Sequence, residues 1–256
     1  MVEVEEILKK KREIIEKLKA RRSIKEAISA TKKAGKRPII AEVKRRGLKA
    51  GEETVEIGAA KAASQMEKAG ACAISVLTDE AFSGSLDDLK TVKLSVDLPV
   101  LRKDFIFDDF QVYESYAYGA NAILLIARFL SAARLNELAK MASSLGLESV
   151  IEIDSESKDK IFDAVIDLPG IASASLIGIN NRDLNTFEVN LETFEQIAPV
   201  VKPELPADVP LVAMSGIDSK EDARRMFDAD ADALLVGTSI MNAEDIEGKV
   251  RNLVNI

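Results

Sequence analysis

Eight short apolar segments, each followed by a stretch of helical periodicity, recur along this 256-residue chain, and that alternation limits its fold more than any other feature. The segments 38–44, 72–77, 99–101, 122–126, 149–153, 175–179, 211–214 and 233–236 are rich in Val, Ile, Leu and Ala and end abruptly in polar residues or glycine. Near-continuous apolar runs of this length read as strands buried on both faces, and helices between them imply parallel crossovers. Helical patterns follow at 54–68, 86–95, 108–118, 132–145, 156–167, 191–200, 219–227 and 243–253, with Gly70, Gly119 and Gly146 as stops. Eight such units imply an α/β chain closed into a (β/α)8 TIM barrel, one domain over residues 1–256. An open doubly wound sheet is the alternative. It would need a Gly-rich turn after the first strand, where the chain reads Val43-Lys44-Arg45-Arg46-Gly47.

Residues 1–37 precede the first strand and read as an N-terminal helical extension, with helices at 3–18 and 23–33. Ser23 with Glu26 three residues on forms a capping-box pattern. The extension holds 13 Lys and Arg against 6 Asp and Glu, net +7, so the rest of the chain carries −15 of the −8 total. A basic arm can bind nucleic acid, but this one lacks aromatic interleaving. Its basic residues alternate with Ile7, Ile14, Ile15 and Leu18, which predicts a helix lying on the acidic body and no nucleic-acid partner.

No histidine is present, which removes the commonest general acid/base and metal ligand. Proton transfer near neutrality then falls to Lys, Glu, Asp, Tyr or Cys at a shifted pKa. The one cysteine, Cys72, sits in an apolar run and reads as core; a single thiol fits a reducing, cytoplasmic setting. The richest apolar run, 122–127, is far too short for a membrane span. A monomer or weak homodimer is expected.

In a parallel barrel the residues at the strands' carboxyl ends share one mouth. Those positions hold Glu42 and Lys44, Ser75 and Thr78, Lys103 and Asp104, Glu152, then Asn180, Asn181, Arg182 and Asp183, and finally Ser215-Gly216 and Gly237-Thr238. The last two pairs join strands to helix starts, where glycine lets backbone N–H groups approach an anion, so they predict a phosphate cradle. Glu42 and Lys44 alternate with Val43, and Glu152 lies between Ile151 and Ile153, so all three can face inward. Interior charges are costly unless paired, and two lysines with two glutamates at an apolar mouth point to acid–base chemistry.

These stretches together resemble indole-3-glycerol phosphate synthase. The matches are Ile40-Ala-Glu-Val-Lys44, Ser75-Val-Leu-Thr78 with Phe82-Ser-Gly-Ser85, Pro99-Val-Leu-Arg-Lys-Asp-Phe105, Leu124-Leu-Ile126, Ile177-Gly-Ile-Asn-Asn-Arg-Asp-Leu184, Ser215-Gly-Ile217 and Leu235-Val-Gly-Thr238. The resemblance implies ring closure of a phosphorylated small molecule, an o-carboxyphenylamino deoxyribulose 5-phosphate, to an indole with loss of carbon dioxide and water, and with no cofactor or metal. It implies Lys103 as general acid and Glu152 as base, with Lys44 holding the anthranilate carboxylate near Glu42. Asn180 and Arg182 would orient the sugar, Phe105 and Leu124 would clamp the aromatic ring, and Ser215, Gly216, Leu235, Gly237 and Thr238 would line the phosphate end. Two departures stand out. The family's Arg-x-Ser-Pro-Ser reads Arg45-Arg46-Gly47-Leu48-Lys49 here, and its acidic residue before Ser-Gly-Ile is Met214. Restoring the hydroxyl by Gly47→Ser is expected to improve catalysis. Other phosphate-sugar barrels, an isomerase or a Schiff-base aldolase, and a non-catalytic scaffold are the competing readings.

Overall fold

The computed structural model describes residues 4–45, 57–154 and 175–256. The departure at positions 46–49, the start of the predicted 54–68 helix and the whole predicted helix 156–167 lie outside these residues. Eight parallel strands close into a barrel in chain order: β1 Ile39–Val43, β2 Ala73–Leu77, β3 Val100–Lys103, β4 Ala122–Ile126, β5 Glu148–Ile153, β6 Leu176–Asn180, β7 Leu211–Met214 and β8 Ala233–Val236, which pairs with β1. The open-sheet alternative is excluded. The described helices are α1 Val4–Lys19, α2 Ile24–Lys33, α3 Ala59–Lys68, α4 Leu86–Ser95, α5 Asp109–Ala117, α6 Ala132–Ser144, α7 Glu192–Val201, α8 Lys220–Asp228, α9 Thr238–Met241 and α10 Ile246–Val254. Among them none is long and apolar enough to cross a membrane.

The strand residues divide by parity, as period-two geometry requires. Ile39, Ala41 and Val43 of β1, with their counterparts on other strands, pack outward against the helices. Ile40, Leu101, Leu124, Val150, Val212 and Leu235 fill the barrel interior. Helix α2 closes the amino-terminal end, because Ile24 and Ile28 join that interior cluster beside Cys72 and Ala73. Ser23 caps α2 by accepting the Glu26 N–H at 3.0 Å. The carboxylate that the capping-box pattern assigned to Glu26 is supplied instead by Glu148 on β5, which accepts from Ser23 Oγ at 2.5 Å and from the Ile24 N–H at 2.7 Å.

The expected docking of the basic arm on the acidic body holds through ion pairs for α2 and its approach, while α1 meets α4 by its last turn, where Lys17 Nζ donates to the Leu94 carbonyl at 3.3 Å. Arg22 pairs with Asp97 at 2.7 Å, Lys25 pairs with Asp208, and Lys32 pairs with Asp232 at 2.6 Å. Helix α1 buries no residue. Two boundaries also differ from expectation. Strand β3 runs on through Arg102 and Lys103, because Arg102 is buried in a polar network on the outer face. The helix expected at 243–253 is α10, and a separate four-residue α9 opens directly after Gly237.

Candidate active site

At the carboxyl end of the strands the barrel opens into a cavity of about 620 Å³. Glu42, Lys44, Lys103, Glu152, Asn180 and Arg182 all line it. So do Phe105, Leu124 and Leu235, and so do Ser215, Gly216, Gly237 and Thr238. The residues to which the family motifs assign chemistry or binding therefore share one chamber, together with Asp104 of the strand-tip set.

The charged floor follows from strand parity. Glu42 and Lys103 end up inside the barrel because Ala41, Val43, Val100 and Arg102 point out. Lys103 Nζ stands 3.7 Å from Glu42 Oε2, an ion pair too long for a hydrogen bond, and 24% of the lysine side chain stays open to the cavity. Burial pushes the Lys103 ammonium down, but Glu42 and Glu152 outweigh it even with Arg182 opposing, so its pKa lies above the ordinary lysine value. Lys103 is thus held protonated.

Glu152 is the complementary case. Burial raises its carboxyl above the ordinary value, only partly offset by Lys103 and by Asn180. Asn180 Nδ2 donates to Glu152 Oε1 at 2.9 Å, while Oε2 is buried with no hydrogen-bond partner among the described residues. Asn180 Oδ1 in turn accepts the Arg182 N–H at 2.9 Å, and the Arg182 guanidinium donates to the Phe187 carbonyl at 2.9 Å. Lys44 lies at the other side and donates to Thr238 Oγ1.

The phosphate-side loops need their glycines. Ser215 and Gly216 are consecutive left-handed residues at φ +69° and +77°, and a Cβ on Gly216 would collide with Val189. Gly237 is fixed by crowding, since a Cβ there would collide with the Glu42 carboxylate. It precedes the unpaired first amides of α9.

Several strand-tip residues prove to be scaffold. Ser75 is buried at the level of Glu42, its register partner, and does not line the cavity. Thr78 Oγ1 donates to Asp104 Oδ2 at 2.6 Å, and Arg102 joins both. Asn181 turns outward, donating to the Ser215 carbonyl at 3.2 Å and accepting the Phe194 N–H at 3.0 Å. Asp183 organises its own turn by accepting the Asn185 and Thr186 N–H groups at 2.7 and 2.8 Å. Conversely, sequence reasoning missed Phe129 and Phe187, which also line the cavity. The Phe129 ring centroid lies 6.0 Å from that of Phe105. Its signal was the aromatic three residues past the fourth strand, the one strand tip left without a candidate.

Comparisons with known proteins agree with this geometry. The family model described as indole-3-glycerol phosphate synthase matches residues 2–253. An indole-3-glycerol phosphate synthase of Aquifex aeolicus is 40% identical over 250 residues, covering 97% of this chain and 92% of its own. Another, from Carboxydothermus hydrogenoformans, is 39% identical over 224 residues, covering 87% and 81%. Among solved structures, a tryptophan synthase subunit alpha from Legionella pneumophila superposes with a TM-score of 0.63 at 15% identity, covering 91% of this chain and 97% of that one, which speaks to the fold alone. With its barrel, its charged floor and its motifs in one chamber, the chain belongs to the indole-3-glycerol phosphate synthase family.

Proposed function

We propose that this cavity performs the family's ring closure through lysine–glutamate acid–base catalysis, carried by one observation: Lys103 and Glu152 line the same chamber, the lysine's pKa raised by its carboxylate neighbours and the glutamate's by burial. The substrate is 1-(o-carboxyphenylamino)-1-deoxyribulose 5-phosphate. Its phosphate binds at Ser215, Gly216, Gly237 and Thr238, with Leu235 packing beneath. Phe105 and Leu124 hold the aromatic ring against the ribulose carbonyl, and Lys44, next to Glu42, receives the anthranilate carboxylate. Holding the two reacting carbons in contact supplies much of the acceleration.

Lys103 gives its proton to the carbonyl oxygen as the ring carbon attacks, so the developing alkoxide is neutralised as it forms. Loss of carbon dioxide from the attacking ring carbon, which bore the carboxylate, returns the electron pair of the broken bond to the ring. The hydroxyl then leaves as water, with Lys103, reprotonated from solvent, supplying a second proton, and Glu152 removes the proton from the neighbouring carbon to complete the indole. Asn180 and Arg182 orient the sugar hydroxyls. The raised Lys103 pKa supports an acid rather than an amine nucleophile, so a Schiff-base aldolase is the poorer fit. A single buried thiol suits a cytoplasmic enzyme.

Indole fluorescence on turnover of the phosphorylated substrate tests the assignment. Lys103→Ala is expected to lower kcat by roughly 10²–10⁴-fold. Equal turnover in the variant would remove Lys103 from its role, and no turnover in the unaltered protein would overturn the reading. Borohydride with a keto-sugar phosphate is expected to leave no adduct on Lys103.

A further inference from the structure

The chain between β3 and α6 exposes five large aromatic side chains, Phe105, Phe107, Phe110, Tyr113 and Phe129. Of these, Phe105 and Phe129 line the chamber. The family motifs give Phe105 a role on the aromatic ring. They pass Phe129 by, since the motif Leu124-Leu-Ile126 ends three residues before it.

The position of Phe129 is built from both sides. Strand β4 sends Leu124 and Ile126 into the barrel interior, and both line the chamber. The backbone then tightens into one 3-10 turn over Ala127–Phe129. Ala127 and Leu130 are buried in the outer core. Arg128 pairs with Asp154, just past β5, at 2.9 Å, with 12% and 3% of their side chains exposed. The neighbours are thus held, and Phe129 alone is left 57% exposed. A ring so placed forgoes most of the burial that would make it useful to the fold. It meets Phe105 with ring centroids 6.0 Å apart and planes inclined at 55°, the tilted arrangement that aromatic pairs favour. The contact holds both rings at the mouth and covers neither.

The place of the pair in the barrel identifies the chemistry that would cover it. In the closed strand order β3 and β4 lie across from β7 and β8. Ser215, Gly216, Gly237 and Thr238 belong to the β7 and β8 side. A molecule held there by its phosphate and reaching across the chamber brings its far end to Leu124, Ile126, Phe105 and Phe129. These four side chains offer no hydrogen-bonding group, so that end suits a flat apolar ring and not a sugar.

We infer that, given the ring closure proposed above, Phe129 is a specificity-determining residue that packs with Phe105 against the substrate's aromatic ring. Phe129→Ala is expected to raise KM for indole formation by roughly 10-fold with kcat held within about twofold, and Phe129→Leu to fall between it and the unaltered protein. Two fragments separate the ends of the chamber in calorimetric titration. N-methylanthranilate carries the ring without the phosphate, and glycerol 3-phosphate carries the phosphate without the ring. Phe129→Ala is expected to weaken the first by roughly 10-fold and to leave the second unchanged. An unchanged KM, or equal weakening of both fragments, would overturn the role of Phe129 and leave the ring closure standing. No indole from the unaltered protein would overturn the ring closure instead, and the N-methylanthranilate titration would still decide whether Phe129 holds an aromatic ring.

Discussion

Glu152 illustrates how a single side chain is prepared for two protonation states. One oxygen is held by Asn180 and the other is buried without a hydrogen bond among the described residues. Burial raises its pKa and the Asn180 amide opposes that rise. A base must be ionised to act, so the acidic limb of kcat/KM is expected above the ordinary glutamate range. Asn180→Leu removes the opposing donor, raises the carboxyl further and should move that limb to higher pH while lowering the plateau; the pH profile of indole formation reads both. A limb that stays in place would mean that another group controls it. At this scale the sequence was informative wherever side-chain parity along a strand decided the outcome, as for Glu42, Lys44 and Glu152. It was silent on Phe129 and Phe187, whose orientation is set by loop geometry rather than by a period, and it placed Asn181 at the mouth although its amide bonds outward to Ser215 and Phe194.

Strand β3 shows how an element can carry charge on both faces. Leu101 and Lys103 face in, while Val100 and Arg102 face out. Arg102 is buried between β3 and α5, where it bonds Asp104 Oδ2 at 2.9 Å, Glu114 Oε2 at 3.1 Å, Ser115 Oγ at 3.1 Å and the Gln111 carbonyl at 3.0 Å. Asp104 passes the constraint on by accepting the Phe105 N–H at 2.8 Å. Arg102→Leu leaves Asp104 with an unpaired buried charge, so a loss of about 3 kcal/mol is expected in urea denaturation. Unchanged stability would show the network to be dispensable. The strand boundary was misread because a buried arginine looks like the end of an apolar run; its partners lie on a helix 9 to 13 residues further on, beyond any local pattern. Ser85, Asp108, Ser131, Ser219 and Asp245 each cap the helix that follows, and the Asp245 cap starts α10 at Ile246, three residues after the expected start. The short α9 had no such signal.

For the molecule as a whole, the connection between extension and barrel is the pH-sensitive feature. Lys93 is buried, donating to the Ala20 carbonyl at 2.8 Å between α1 and α2 and to Asn121 Oδ1 at 2.9 Å just before β4. Burial, with Arg22 and Arg21 alongside, lowers its pKa to about 7, and Asp97 pulls the other way. The unfolded chain keeps the ordinary value of 10.5, so between those two values it binds the extra proton and folding gains stability as pH rises. A urea midpoint higher at about pH 9 than at about pH 6.5 is expected, and Lys93→Met should flatten that difference. An equal difference in the variant would assign it to other groups.

Strand β5 joins that same extension to the chemistry. Glu148 and Glu152 sit on one face of it, four residues apart, the first gripped by Ser23 and Ile24 and the second opening onto the substrate chamber. Trimming the polypeptide to begin at Pro38 would strip the lower carboxylate of both its donors and unseat the plug from the cylinder's foot. The same extended segment carries the carboxylate at the chamber's floor, so a drop in turnover is expected on trimming although no described residue of the extension lines the cavity.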